Sequence, residues 1–395
     1  MSRAAGACFV GVALSCLVVA ASCGKAMRPG DPLGGLSKAQ RDQFNGGRVE
    51  FSRVFTPETG LGPLFNADSC AECHESPVAG GAGDEVEVHV SALIPNDSRC
   101  DPLIQKGGPV LQQVVTPALK AALGIDREPD PPEATGRALR TTPDLFGFGL
   151  LDAVPDATIL ALADPDDKDA DGISGRPNRF FDGRVGRFGR KALVPTLREF
   201  NDGAFVVEQG ITNPAVPTEE SIGGAPIPAG VDPLPEPEID QKAIDLTDAF
   251  VRLLAAPAPH GSSIGIRRGR TVFLDIGCDR CHVPRLRTGD SPIKALRMKD
   301  VNAYTDLLLH DMGPEMADIC LGLAAASEFR TEPLMGLRFT EQIEEGEPRF
   351  LHDGRAGSIE EAITLHGGEG ASSRDRFSTL SAKDRKALIE FLRSL

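Results

Sequence analysis

"FNADSCAECHESP", residues 65–77, places two cysteines three apart with a histidine directly after the second. On one helical turn, cysteines at this spacing can each add to a vinyl group of one haem. The next histidine then lies beneath the porphyrin as an axial iron ligand. The same pattern returns as "CDRCH" at 278–282, so the candidate attachment sets are Cys70, Cys73, His74 and Cys278, Cys281, His282. Two rivals fit less well. A redox-active C-x-x-C belongs in a thioredoxin-like βαβ context, and none is visible. Zinc needs four ligands at fitting spacings, and the two units lie far apart in the chain. Chance supplies one such unit in roughly four of a thousand chains of this composition.

The flanks repeat as well. "GRVEF" (47–51) precedes the first unit and "GRTVF" (269–273) the second, which reads as an internal repeat whose first copy is longer before its cysteines. The expected fold is mainly α: two cytochrome c-like haem domains with long loops and few short strands.

The chain opens with Arg3 and an apolar run from Ala4 to Ala21. A basic start, an apolar stretch and small residues at its end read as a secretory signal over 1–22, with an uncleaved anchor as the rival. "AASC" resembles a lipoprotein processing site, which would lipidate Cys23, although Ala20 stands where a leucine is usual. Release and lipid anchoring are both open, and the expected location is the periplasm or the outer surface. Of nine cysteines, Cys8 and Cys16 fall in the signal. Cys100 and Cys320 are left over and are expected to pair in an oxidising compartment. A formal charge of −15 argues against nucleic acid and anionic membrane as partners.

After a tether over 23–38, a first haem domain is expected over 39–212. A Pro/Gly-rich linker follows over 213–240, and a second cytochrome c domain over 241–395. A helix is expected from Gln241, and a last helix from Ser381, which forms a capping box with Asp384 and buries Leu388, Phe391 and Leu392. Between the haem motifs, Asp167, Asp169 and Asp171 alternate and Gly172 follows, the D-x-D-x-D-G of a calcium loop. Asn178 stands where a bidentate glutamate is usual, and a solvated acidic loop is the alternative.

"LFGFGLLDAVPDATILALADPDDKDADGISGRPN", "GRFGRKALVPTLREF", "GCDRCHVP", "YTDLLLHDMGPEMAD" and "FLHDGRAGSIEEAITLHGGEG" together resemble the bacterial di-haem oxidoreductase family, relatives of the di-haem cytochrome c peroxidases. The resemblance implies two covalent c-type haems, a reactive one at His74 and an electron-transferring one at His282. It also implies His366 as the far ligand of the second iron, where peroxidase relatives carry methionine. Glu208 with Gln209, in "AFVVEQGITNP", is the implied distal acid–base pair of the first haem. His89 is a candidate cap, while His310 and His352 read as structural. Arg190 and Met335 stand where the family pattern as read here has tryptophan, and the chain has none, which excludes an indole relay. Tyr304 is the only phenol.

The leading expectation is a peroxidase-type enzyme that reduces hydrogen peroxide. Its electrons would come from a small cytochrome, a cupredoxin or a quinol-linked donor. A di-haem oxygenase using dioxygen on an organic substrate, and a non-enzymatic electron carrier with both irons six-coordinate, are the alternatives.

Overall fold

The computed structural model describes residues 27–94, 99–343 and 348–395. The expected signal over 1–22 and the candidate lipid site Cys23 lie outside the described residues. Among the described residues, no helix is long and apolar enough to cross a membrane.

The helices that position the site are, in chain order, α1 (Lys38–Phe51), α2 (Cys70–Cys73), α3 (Leu197–Gln209), α4 (Gln241–Leu253), α5 (Ile264–Asp275), α6 (Ile359–Thr364) and α7 (Ala382–Leu392). Side chains start several of them. Ser37 and Gln40 make a full capping box on α1, and Ser381 Oγ accepts from Asp384 N on α7. These bonds satisfy amides that a helix start leaves open. Leu388, Phe391 and Leu392 are buried on α7, the stripe its sequence periodicity predicts.

Two helix crossings organise the chain: α1 packs on α4, and α5 on α7. Each crossing turns on a glycine of the repeated motif. A Cβ on Gly47 would run into the carbonyl of Leu246 on α4, and one on Gly269 into the carbonyl of Ala387 on α7. Only glycine permits backbones to approach so closely. The motif phenylalanines complete each crossing. The Phe51 and Phe250 ring centroids are 4.9 Å apart, and those of Phe273 and Phe391 are 5.4 Å apart.

This pairing moves an expected boundary. The sequence groups the helix from Gln241 with the second domain, yet α4 packs on α1 and plays there the part that α7 plays on α5. The matching signal is "FVRLL" at 250–254 beside "FLRSL" at 391–395. The Pro/Gly-rich stretch 213–240 is therefore a connection inside the first helical unit, not a linker between units. Asn213 is fully buried and its Nδ2 donates to Asp202 O on α3 at 2.8 Å. The expected tether is also partly packed. Leu33 and Leu36 are buried, and Leu33 N donates to Leu253 O at 2.8 Å. Apolar side chains at those two positions outweigh the polar composition around them.

The longest strand, β1 (Val86–Leu93), pairs antiparallel with β2 (Val110–Leu111) and β3 (Gly136–Thr141). Val88 faces Leu111 on one side and Leu139 on the other. Two-residue alternation puts Val88 and Val90 into a small core and Glu87 and His89 on the opposite face. Cys100, at the end of this sheet, is disulfide-bonded to Cys320, with Cα atoms 5.5 Å apart.

Alanine inside a helix is ordinarily about 1 kcal/mol more stable than glycine. Gly269→Ala is expected to reverse that sign and cost about 1–3 kcal/mol, because α5 and α7 must separate. Urea unfolding of the holoprotein reads the result; a gain in stability would mean that the crossing does not depend on Gly269.

Candidate functional site

The first attachment turn is α2. Ser69 caps it, accepting from Glu72 N at 3.2 Å, and His74 N closes the turn on Cys70 O at 3.0 Å. The His74 ring leans on two carbonyls: Nδ1 lies 3.1 Å from Gly81 O and 3.0 Å from Pro143 O. Both partners are acceptors, so Nδ1 carries the proton and the Nε2 lone pair faces away. Gly81 is required where it stands, since a Cβ there would strike Ser76 O.

The second turn is built alike. Cys278–Arg280 forms one 3₁₀ turn, and His282 Nδ1 lies 3.1 Å from Tyr304 O. His366 follows α6, with Nδ1 2.7 Å from Ala362 O. Among the described residues, no protein hydrogen bond reaches Nε2 of His74, His282 or His366. His282 and His366 line one cavity together with Cys278 and Cys281, between apolar walls that include Phe273, Leu334, Ile363 and Leu392. Burial, and then His366 itself, lower His282 to about 4; burial also lowers His74 and His366. All three are neutral imidazoles at pH 7, the form that binds iron.

The four motif cysteines are unpaired. Burial pushes Cys70 and Cys278 up to about 12, the opposite of the depressed thiol that a redox-active or zinc-binding C-x-x-C needs. Paired thiols and a neutral histidine with an unclaimed Nε2 fit haem at both turns, and at the second turn the apolar walls of the cavity fit it as well.

Helix α3 brings Glu208 and Gln209 to the first turn. Its end docks on the preceding segment: Gly62 N donates to Gln209 O at 3.0 Å, and Asn66 Nδ2 to Glu208 Oε2 at 2.9 Å. Gln209 is buried, with Oε1 3.6 Å from Cys70 Sγ and Nε2 without a partner. That orphaned donor is what a wall meeting a bound group leaves behind. Burial and the nearby Glu87 carboxylate raise Glu208 well above the usual carboxylate range. Sequence reasoning missed Glu87; the alternation in "VEVHV" was the available signal. His89 Nε2 lies 2.8 Å from Glu87 Oε2.

The same cavity extends between the two turns, past Glu332, Arg330 and Arg190 to Thr142, Pro143 and Gly83. Glu332 Oε2 accepts from Arg190 Nη1 at 2.8 Å and from Arg330 Nη2 at 2.7 Å. Met335 is a core residue. Tyr304 packs edge-on to Phe273 and Phe391. His310 is held between carboxylates, Nδ1 at 2.7 Å from Glu369 and Nε2 at 2.9 Å from Asp306, so both nitrogens are protonated. Its Nδ1 is also 3.5 Å from Cys281 Sγ. His352 stacks on Phe329 with centroids 3.9 Å apart.

Asp167, Asp169 and Asp171 do converge, with one carboxylate oxygen of each within 4.8 Å of the others. Asn178 does not join them: it is fully buried, and its Nδ2 donates to Leu321 O at 3.0 Å. A second acidic group that the sequence did not flag brings Glu219, Asp232, Glu236 and Glu238 equally close.

Residues 135–395 match the family described as "Di-haem oxidoreductase, putative peroxidase". That stretch contains the second C-x-x-C-H, α3 and His366, and begins after the first C-x-x-C-H. No curated protein matches the chain. Among solved structures, a hydrazine synthase of Kuenenia stuttgartiensis pressurised with xenon is similar at 12% identity and TM-score 0.40, covering 100% of both chains. A MauG-like protein associated with microbial copper homeostasis is similar at 14% identity and TM-score 0.38, covering 94% of this chain and 92% of that one. Likenesses this distant carry no functional information.

His366→Ala removes the imidazole with a free Nε2 that shares the cavity with His282. The expected result in ferric holoprotein is loss of one low-spin bis-histidine EPR signal with haem content unchanged. Persistence of that signal would exclude His366 as a ligand.

Proposed function

Because the chain belongs to the di-haem oxidoreductase family, we propose that it is an exported enzyme of peroxidase type. In this reading hydrogen peroxide is reduced beside Cys70, Cys73 and His74, with electrons entering beside Cys278, Cys281, His282 and His366. Covalently bound as c-type groups, the two haems would supply the one-electron chemistry. The residues of the chain do the rest. His74 and His282 present Nε2 lone pairs whose direction the Gly81, Pro143 and Tyr304 carbonyls fix. His366 closes the far face of the second site, which makes that site a relay.

The observation that carries the reading is the buried pair at the end of α3. Peroxide cleavage needs a group that takes the first proton and returns it to the departing oxygen. Glu208 supplies a carboxyl held by Asn66, and Gln209 a free N–H donor, both beside the first turn only. The Cys100–Cys320 disulfide suits an oxidising compartment, in keeping with export and with either release or a lipid at Cys23. An acidic surface suits a small redox donor with a basic patch, a cytochrome or cupredoxin; a quinol-linked donor is the other source. Calcium at Asp167, Asp169 and Asp171 belongs to the same proposal, and Arg280 of the second turn already pairs with Asp171 at 3.0 Å.

EPR of the ferric holoprotein is expected to show one high-spin and one low-spin centre. Glu208→Gln is expected to cut peroxide turnover by about 10²–10⁴-fold while leaving the low-spin signal intact. Unchanged turnover would remove Glu208 from the reaction. Two low-spin signals with no peroxide turnover at any level of reduction would make the protein an electron carrier.

A further inference from the structure

Asn66 lies just ahead of the first attachment turn, at the point where a short ladder ends. Leu64 and Phe65 pair antiparallel with Val115 and Val114, so the register sets Asn66 opposite Gln113. There the side chain takes over from the main chain: Gln113 N donates to Asn66 Oδ1 at 2.9 Å. The main-chain N–H of Asn66 goes to α3 and donates to Glu208 O at 2.6 Å, and Ala67 N donates to the same oxygen at 3.2 Å. Those two bonds satisfy a carbonyl that the end of a helix leaves open.

The Asn66 amide is not free to turn over. Its Oδ1 is committed to an N–H donor, so Nδ2 is the group that meets the Glu208 carboxyl, and it donates to Oε2 at 2.9 Å. Asn66 thus grips Glu208 by both main chain and side chain. The grip extends to the next residue, since Gly62 N donates to Gln209 O at 3.0 Å and Gln209 Oε1 lies 3.6 Å from Cys70 Sγ. One short segment, 62–67, therefore holds the end of α3 and leads into α2. Resting on the peroxidase reading above, we propose that Asn66 is the residue that positions Glu208, tying one carboxyl oxygen and holding the acid in register with the Cys70–His74 turn.

The place asks for asparagine. The terminal torsion of a glutamate is soft, so a fixed donor is what selects one orientation of the carboxyl. The residue that supplies it needs an acceptor on one arm for Gln113 and a donor on the other for Glu208. Aspartate would keep the first bond and set a like charge against Glu208. Alanine would lose both bonds. A group that moves protons must stand within hydrogen-bond reach of the atom it serves, and a misplacement of about 1 Å costs about 10²-fold in rate.

Cyanide association tests this without turnover. Hydrogen cyanide gives up its proton to a base before cyanide closes on an open ferric iron, and on the reading above only the first site is open. Stopped-flow mixing with the ferric holoprotein is followed over a pH series that samples both forms of the Glu208 carboxyl. Glu208→Gln, Asn66→Asp and Asn66→Ala are each expected to lower the maximal cyanide association rate, and kcat/KM for peroxide, by about 10-fold or more. Added to Glu208→Gln, either Asn66 change is expected to slow neither rate further, because a residue that acts through Glu208 then has nothing left to position. Asn66→Asp keeps the acceptor for Gln113 N and so serves even where Asn66→Ala fails to fold; haem content and the low-spin EPR signal report folding. Wild-type rates in a folded Asn66→Asp protein, or a loss that stays as large in the Glu208→Gln background, would overturn the positioning role and leave Glu208 in the reaction. The expected cyanide pattern in a protein that does not reduce peroxide would instead overturn the peroxidase reading and leave Asn66 in its role.

Discussion

Both attachment histidines donate Nδ1–H to carbonyls fixed elsewhere in the chain, and the rest of the site depends on that constraint. Gly81 and Pro143 hold His74, and Tyr304 holds His282. The carbonyl selects the tautomer, aims Nε2 and raises the basicity of the ring. It also couples distant segments. Pro143 lies two residues after β3 and lines the cavity between the turns, so the loop that orients His74 also forms a wall shared with the second site. A shift in the sheet therefore moves His74 directly.

The helix crossings make that constraint possible. Gly47 and Gly269 let α1 and α5 sink against α4 and α7, which brings Phe51 within 6.1 Å of His74, centroid to centroid, and seats Phe273 against Tyr304. The apolar floor of each site comes from the helix that precedes the cysteines, and the roof comes from elements far along the chain. Glu208 and Gln209 arrive from α3, and His366 from the end of α6. Two sites with the same floor thus acquire different roofs, one acidic and one imidazole. On the proposed function, that difference is what would separate a reactive centre from a relay.

The sequence makes the floors plain and the roofs less so. C-x-x-C-H is local, and its geometry follows from one helical turn. The Gly-x-x-x-Phe repeat is likewise local, and its crossings follow from it. Where the chain returns to close each unit is a long-range matter. The helix from Gln241 read as the start of the second half because proline and glycine precede it, whereas packing against Gly47 assigns it to the first. Buried Leu33 and Leu36 show the same thing at smaller scale: two apolar positions among polar neighbours decide where a segment lies. Glu87 escaped notice because a glutamate in an alternating strand reads as a solvent-facing residue, whereas here its carboxylate bonds His89 and lies near Glu208. Asn178 was read as a loop position and is instead a fully bonded core amide.

What lies between the two turns is charge, not an aromatic bridge. Arg190 stands where the resemblance expects tryptophan, and its guanidinium bonds Glu332, which also accepts from Arg330. Arg190 favours the ionised form of Glu87 on one side and of Glu332 on the other. An indole could hold a hole midway between the sites; a guanidinium cannot, since it has no accessible oxidised state, but it has a field. The network is therefore suited to sense charge at both ends. In this chain a fixed positive charge bonded to Glu332, not an aromatic ring, lines the cavity between the two turns.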